Sequence, residues 1–313
     1  MEDKPKKVFK YRKFNDLTLD SLVSDNIYYS SPSAFNDPFD CSPSLVSDSI
    51  NNELEKILAE LIKSRVTCET QHNLKNYIGK KSTVFSSEVA LREANKTLKE
   101  IEFYASDPSY DDEPSVVKNF MLTNEIKAEL LMHYNRGVSC FSTDFKNLLM
   151  WSHYGDEHKG ICIGYDLDRV PAPVLNKVLY GGQRKIKTSL VKQALIDKDD
   201  NALHELHQNI LLRKASAWKY EKEWRLLGPV GIHDSPLRLS EITFGLRCDP
   251  SIVLAIVKVL EHRDVNFYQI EQIPGSFTLK RAAIDICEVK STYPRIAESF
   301  EEVKLDKILF PEA

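Results

Sequence analysis

A chain of 313 residues with 42% hydrophobic and 28% charged residues has neither the composition of a disordered polyelectrolyte nor that of a membrane protein. Its net charge of −4 gives no overall attraction to nucleic acid, and six cysteines without a Cys-x-x-Cys pair support neither a metal knuckle nor a disulfide framework. VLAIVKVL at 253–260 is broken by Lys258, so no apolar run nears the ~18 residues that span a bilayer, and the charged start (Glu2, Asp3, Lys4) holds no secretory core. A cytoplasmic protein with no membrane partner is expected.

KVFKYRKF at 7–14 alternates and predicts a first strand, with Val8, Lys10 and Arg12 on one side and Phe9, Tyr11 and Lys13 on the other. LTLDSLVS then predicts a short helix, and NIYYSS a second strand. The next segment, SPSAFNDPFDCSP, is turn chemistry throughout (Pro32, Asn36-Asp37-Pro38, Pro43). Two phenylalanines, Phe35 and Phe39, are unusual in such a loop, which is therefore expected to be pinned against the core or to rim an active site.

From 48 to 136 the pattern is helical. NNELEKILAELIKSR places Leu54, Ile57, Leu58, Leu61 and Ile62 on one face, SSEVALREANKTLKEIEFYAS follows, and a third helix is predicted from about Ser115 to Asn135. Pro114 suits the first turn of that helix and Gly137 its C-terminal cap. These helices read as an insertion, or lid, between two parts of a β core at 7–47 and 138–290; a separate helical domain is the alternative.

The central stretch, VSCFSTDFKNLLMWSHYGDEHKGICIGYD at 138–166, sets two apolar strands around a connection rich in polar and aromatic groups, among them Trp151, His153, Tyr154, Asp156 and His158. Further on, KVLY predicts a strand and residues 189–216 a helix broken around 197–201, in which His204 and His207 mark a polar face. KYEKEWRLLGPV and EITFG read as strands, DPSIVLAIVKVLEHR as a helix, and VNFYQIE and SFTLKRA as two last strands. The fold expected is α+β: one domain over 1–300 around a twisted or split mixed sheet carrying a helical insertion, then a charged tail at 301–313. The strands do not alternate regularly with helices and no glycine-rich phosphate loop appears, which argues against a Rossmann sheet.

On a strand Glu221 and Glu223 point the same way, where paired carboxylates can stabilise positive charge developing at a sugar carbon. Crowding is expected to raise the pKa of one of them. The plainer reading is a surface pair neutralised by Lys219, Lys222 or Arg225. Taken in order, Arg12, the run Phe141-Ser142-Thr143 and Glu221-x-Glu223 resemble the arginine-class mono-ADP-ribosyltransferases, in which arginine, Ser-Thr-Ser and Glu-x-Glu build the site for nicotinamide adenine dinucleotide (NAD). Here Asp144 stands in place of the second serine. The resemblance implies that Arg12 anchors NAD as substrate, that Ser142 and Thr143 support the site, and that Glu223 holds the ribose hydroxyl. It gives Glu221 the presentation of the acceptor, an unidentified protein or nucleic acid; Trp151 and Tyr154 are available to stack on a ring.

A closer resemblance, carried by FKYR, IYYSSPSAFNDPFD, the central stretch, KYEKEWR and EITFG, is to the bacterial family called domain of unknown function 2971, a name that implies no activity. The first expectation is therefore an ADP-ribosyltransferase-like enzyme that modifies a macromolecule or hydrolyses NAD, with a role as a toxin or phage-defence effector. A metal-dependent nuclease or hydrolase built on Asp37, Asp40, His153, Asp156, His158 and Glu223 stays open, although none of these falls in a recognised metal spacing. So does a non-catalytic recognition or sensor module.

Overall fold

In the computed structural model the structure describes residues 4–74, 82–134 and 136–294. The first part of the chain holds β1 (Lys7–Arg12), α1 (Asp16–Val23), β2 (Asn26–Tyr29), β3 (Ser44–Val46), α2 (Asn51–Leu74), α3 (Ser82–Ala105) and α4 (Pro114–His133). The middle holds β4 (Gly137–Ser142), α5 (Leu148–His153), β5 (Ile161–Asp166), β6 (Asn176–Lys177), β7 (Leu179–Tyr180), β8 (Lys185–Lys187), α6 (Thr188–Val191), α7 (Asp200–Leu211) and β9 (Arg213–Lys214). The last part holds β10 (Glu223–Gly228), β11 (Gly231–Asp234), β12 (Arg238–Phe244), α8 (Pro250–Val259), β13 (Asn266–Gln272), β14 (Leu279–Ala283) and α9 (Ile286–Thr292). This is a mixed α+β fold, as expected. The charged tail at 301–313 and the predicted helix end at Asn135 lie outside the described residues. Among the described residues no helix is long and apolar enough to cross a membrane.

The described residues divide into two compact units: 4–27, 141–173 and 233–294 form one, and those within 28–140 and 174–232 the other. Helices α2, α3 and α4 fall in the second of these units. Leu54, Ile57, Leu58 and Ile62 of α2 and Leu122, Ile126 and Leu130 of α4 share one core with Ile186, Val191, Leu206 and Ile210, all within the second unit. Burying each such side chain is worth about 1.5–3 kcal/mol, so these helices build the centre of that unit.

In the first unit the sheet runs β14-β13-β12-β5-β1, and the end of β4 joins β1 through the Phe9–Ser142 pair. β5 is antiparallel to both β1 and β12, whereas β12 and β13 are parallel, with α8 in the connection between them as parallel neighbours require. Asn15 caps α1 by accepting from the Thr18 N–H, and Pro250 opens α8, where its missing donor costs nothing. Glu241 on β12 is buried and bracketed by the cations of Lys7 and Arg281, whose guanidinium lies over the rings of Phe145 and Tyr268.

The entry to β5 is tight. A Cβ at Gly160 would stand 2.2 Å from the carbonyl oxygen of Arg12. The obstacle is backbone within the β1–β5 pairing and cannot rotate away. Gly160→Ala is expected to cost about 1–3 kcal/mol, the usual penalty for overpacking, read as a lower urea midpoint with an unchanged slope. An unchanged midpoint would show that this junction yields.

In the second unit α2, α3 and α4 accompany three short pairings: β3 with β8 and β7 with β9, both parallel, and β10 with β6, antiparallel. Asp48 ties the start of α6 down by accepting from the Ser189 N–H and from the hydroxyls of Ser189 and Thr188. The helix predicted over 189–216 breaks as expected, with a π turn at Lys192–Ile196 and a restart at α7 capped by Asp199. It ends before Lys214, however, which belongs to β9. His204 bonds Gln208 and His207 packs on Tyr134, so the two act as parts of a helix surface.

Candidate functional site

The FNDPFD and KYEKEWR segments, far apart in sequence, meet in the second unit around five charged side chains: Asp40, Lys214, Glu221, Glu223 and Arg225, all buried. Glu221 reaches this cluster by a route the alternation of strand residues does not provide. Ser216–Glu221 is a 3-10 helix, Lys222 takes a left-handed conformation at φ 48°, and β10 begins only at Glu223. The predicted strand over KYEKEWRLLGPV thus shortens to Glu223–Gly228. The turn nevertheless brings both carboxylates to one ammonium, since Lys214 Nζ donates to Glu221 Oε2 at 2.5 Å and to Glu223 Oε2 at 2.8 Å.

Arg225, with no exposed surface, is the other centre. Its Nε donates to Glu223 Oε1 at 2.7 Å, its Nη2 to Asp40 Oδ2 at 2.7 Å, and its Nη1 to the Leu211 carbonyl at 2.6 Å. Burial pushes the Glu223 carboxyl up, but Arg225 and Lys214 more than offset this and hold it at about 2. At Glu223 the two cations outweigh the effect expected from crowding. Burial by itself would lower the Lys214 ammonium, yet the surrounding carboxylates raise it, so it stays charged. Among the described residues three buried carboxyl groups share this cluster with two buried cations, and Asp40 Oδ1 is buried without a hydrogen-bond partner. Burial pushes the adjacent Cys41 thiol up to about 12, which keeps it protonated and a poor nucleophile.

Aromatic rings surround the cluster. Phe35 lies 5.6 Å from the Arg225 guanidinium and Trp218 5.2 Å from Lys214 Nζ. Trp218 Nε1 donates to Asp37 Oδ2 at 2.7 Å, and Tyr180 accepts at its hydroxyl from the Glu223 N–H at 2.8 Å. Phe39 is 61% exposed and stacks on Arg184. Phe35 thus packs against the core of the second unit, while Phe39 at the other end of the loop stays exposed. Lys214, Tyr180 and Trp218 were not legible as site residues. The helix expected to run through 216 hid Lys214, which stands seven residues before Glu221.

The other candidates lie in the first unit, and the structure does not gather them. Directly opposed strand residues share a face, so Ser142 lies on the Phe9 and Tyr11 side of β1, while alternation turns Arg12 to the opposite side with Val8 and Tyr165. Ser142, buried at the end of β4, accepts from the Asp144 N–H at 3.0 Å, and Asp144 accepts from the Lys146 N–H at 3.0 Å. Thr143 follows β4 and is half-buried. The Ser-Thr-Asp run therefore builds the turn that leads toward α5.

Trp151 has no exposed surface. Its Nε1 donates to the Phe145 carbonyl at 2.9 Å, Tyr11 meets it edge-on at 5.1 Å, and His158 stacks on it at 6.1 Å. Tyr154 closes α5, its N–H donating to the Met150 carbonyl, and is half-buried. The connection predicted as a loop therefore contains a helix, α5, capped by Asn147. After it, Asp156, Glu157 and His158 all adopt left-handed conformations, at φ 50°, 55° and 70°. Such a run in non-glycine residues is costly and is held here by the Lys159 N–H to the Asp156 carbonyl and the Gly160 N–H to the Gly155 carbonyl, each 2.9 Å. Burial and the nearby Arg247 push the His158 imidazole down, which keeps it neutral.

Among the described residues no group of three or more His, Cys, Asp or Glu side chains is arranged to hold a metal ion. No curated protein and no solved structure matches the chain. Residues 150–226, from the start of the buried Met150–Trp151 turn to the end of Glu223-Trp224-Arg225-Leu226, match the family model described as Protein of unknown function (DUF2971), which bears out over that segment the family resemblance read from the motifs.

Proposed function

We propose that the protein is a glycosyl-transferring enzyme that cleaves the nicotinamide–ribose bond of NAD and passes ADP-ribose to water or to a macromolecule, with the Asp40–Glu221–Glu223 cluster as its polar centre. One observation carries this reading: a buried excess of carboxyl groups over cations, with Glu223 held ionised, inside a rim of aromatic rings. As the glycosidic bond breaks, its electron pair goes to the ring nitrogen of nicotinamide and positive charge grows on the ribose. Fixed negative charge in a low-dielectric setting favours that transition state without reorganising. Water then adds at the sugar carbon and releases a proton, or an acceptor group does the same. In this reading Phe39 and Trp218 take the stacking role that buried Trp151 does not offer, and Glu223 and Glu221 act through their charge. A part in toxicity or phage defence would follow from depletion of the host's NAD.

The test is nicotinamide release from NAD by wild type and by Glu223→Gln, with and without cell lysate. Release by wild type and a loss of about 100-fold or more in the variant is expected, the scale on which removing one electrostatic stabiliser acts. Equal turnover by a folded variant would refute the assignment. A second reading, a non-catalytic recognition module, is favoured by the saturation of Glu223, both of whose carboxylate oxygens already accept from Lys214 or Arg225. Silence of wild type in every condition would put that reading first.

A further inference from the structure

The first unit contains a cleft of about 420 Å³ that belongs to none of the chemistry above. Its walls come from α5, from the left-handed loop, from the segment after β12 and from the turn between β13 and β14. That volume lies within the range of small-molecule sites. Two side chains in the lining are unspent. The Arg247 guanidinium makes no hydrogen bond or ion pair among the described residues, although its backbone N–H is fixed to the His158 carbonyl at 2.9 Å. Phe277, at the tip of the β13–β14 turn, is 91% exposed and offers an uncovered ring. Leu246 and the neutral His158, whose Nε2 is 3.5 Å from Ser152 Oγ, also line the cleft. Ser152 already gives its proton to the Leu148 carbonyl at 3.0 Å. Glu157, the acidic member of the lining, is paired with Lys159 at 3.3 Å, so Arg247 is not neutralised from within the cleft.

A forked cation suited to phosphate and a free aromatic face suited to a nucleobase, in one cleft of nucleotide size, select a ligand carrying both groups. We infer that this cleft binds a mononucleotide, with its phosphate on Arg247 and its base against Phe277. The inference does not depend on the proposed reaction, because neither residue belongs to the charge cluster.

Calorimetric titration of the full chain with adenosine monophosphate, adenosine and inorganic phosphate tests it. Wild type is expected to bind the nucleotide saturably and at least about tenfold more tightly than either part, since a charge-assisted pair and a stacked base each contribute on that scale. Arg247→Ala weakens the nucleotide about tenfold and leaves adenosine unchanged; Phe277→Ala weakens both. Glu223→Gln binds as wild type, which separates this site from the reaction centre. Thermal melts accompany each variant, and Arg247→Gln replaces Arg247→Ala should the latter unfold. The proposal is overturned by any of three results: no nucleotide binding to wild type, phosphate alone binding as well as the nucleotide, or affinity lost in Glu223→Gln but kept in both cleft variants.

Discussion

Arg225→Ala is expected to lower the unfolding free energy by about 3–5 kcal/mol, the range for breaking a buried ion pair by removing one partner. The substitution withdraws five contacts at once: with Glu223 Oε1 and Oε2, Asp40 Oδ2, the Leu211 carbonyl and Cys41 Sγ. It would leave the buried Asp40, Glu221 and Glu223 with one buried cation of the cluster, Lys214, in place of two. Arg225→Lys restores the charge but not the planar fork. An ammonium has three donors on one point and cannot serve Glu223, Asp40 and the Leu211 carbonyl in this geometry, so an intermediate loss is expected. Urea unfolding of the three proteins at pH 7 reads the series. If Arg225→Ala unfolds within about 1 kcal/mol of wild type, the cluster contributes nothing net and the charges are solvated in solution.

The second large effect lies in acid. Glu223 is held at about 2 in the folded protein against an ordinary value of 4.5, so between these values the unfolded chain binds the extra proton. Its stabilising contribution is fully present above about pH 4.5 and is lost as the pH falls through about 2. That difference corresponds to about 3 kcal/mol. Asp48 and other carboxyls with lowered values add slopes of their own in the same window, so the quantity to read is the difference between proteins. Glu223→Gln is expected to be less stable than wild type at pH 7, with the gap closing as the pH approaches 2. A gap independent of pH would mean that the carboxylate charge is not what Lys214 and Arg225 stabilise.

Much of the secondary structure was legible because it is decided by neighbours in the chain. The apolar stripe of α2, Pro114 at the start of α4, the alternation of β1 and the interruption near 197–201 all stand where the pattern put them. Helix α5 was not legible, because LLMWSH is only six residues long and carries no periodic stripe; Asn147 at its cap was the available cue. The shift of Glu221 from a strand to a 3-10 turn has the same kind of cause. Alternation over a few residues cannot reveal that Lys222 takes a left-handed conformation.

The site was legible in part for a reason of the same order. FNDPFD announced a loop held against the core, which Phe35 is while Phe39 stays exposed, and Glu221 and Glu223 announced a concentrated charge. Their meeting was decided elsewhere, by where α7 stops and β9 delivers Lys214 and by the register that buries Arg225. Order along the chain also suggested that Arg12 and Ser142 work together, and strand pairing turned them to opposite faces. Helix stripes, caps and turns depend on interactions spanning a few residues and can be read from composition and spacing. Within this cluster, which carboxylate meets which cation depends on pairings between residues up to 185 positions apart, and only the packed chain determines those.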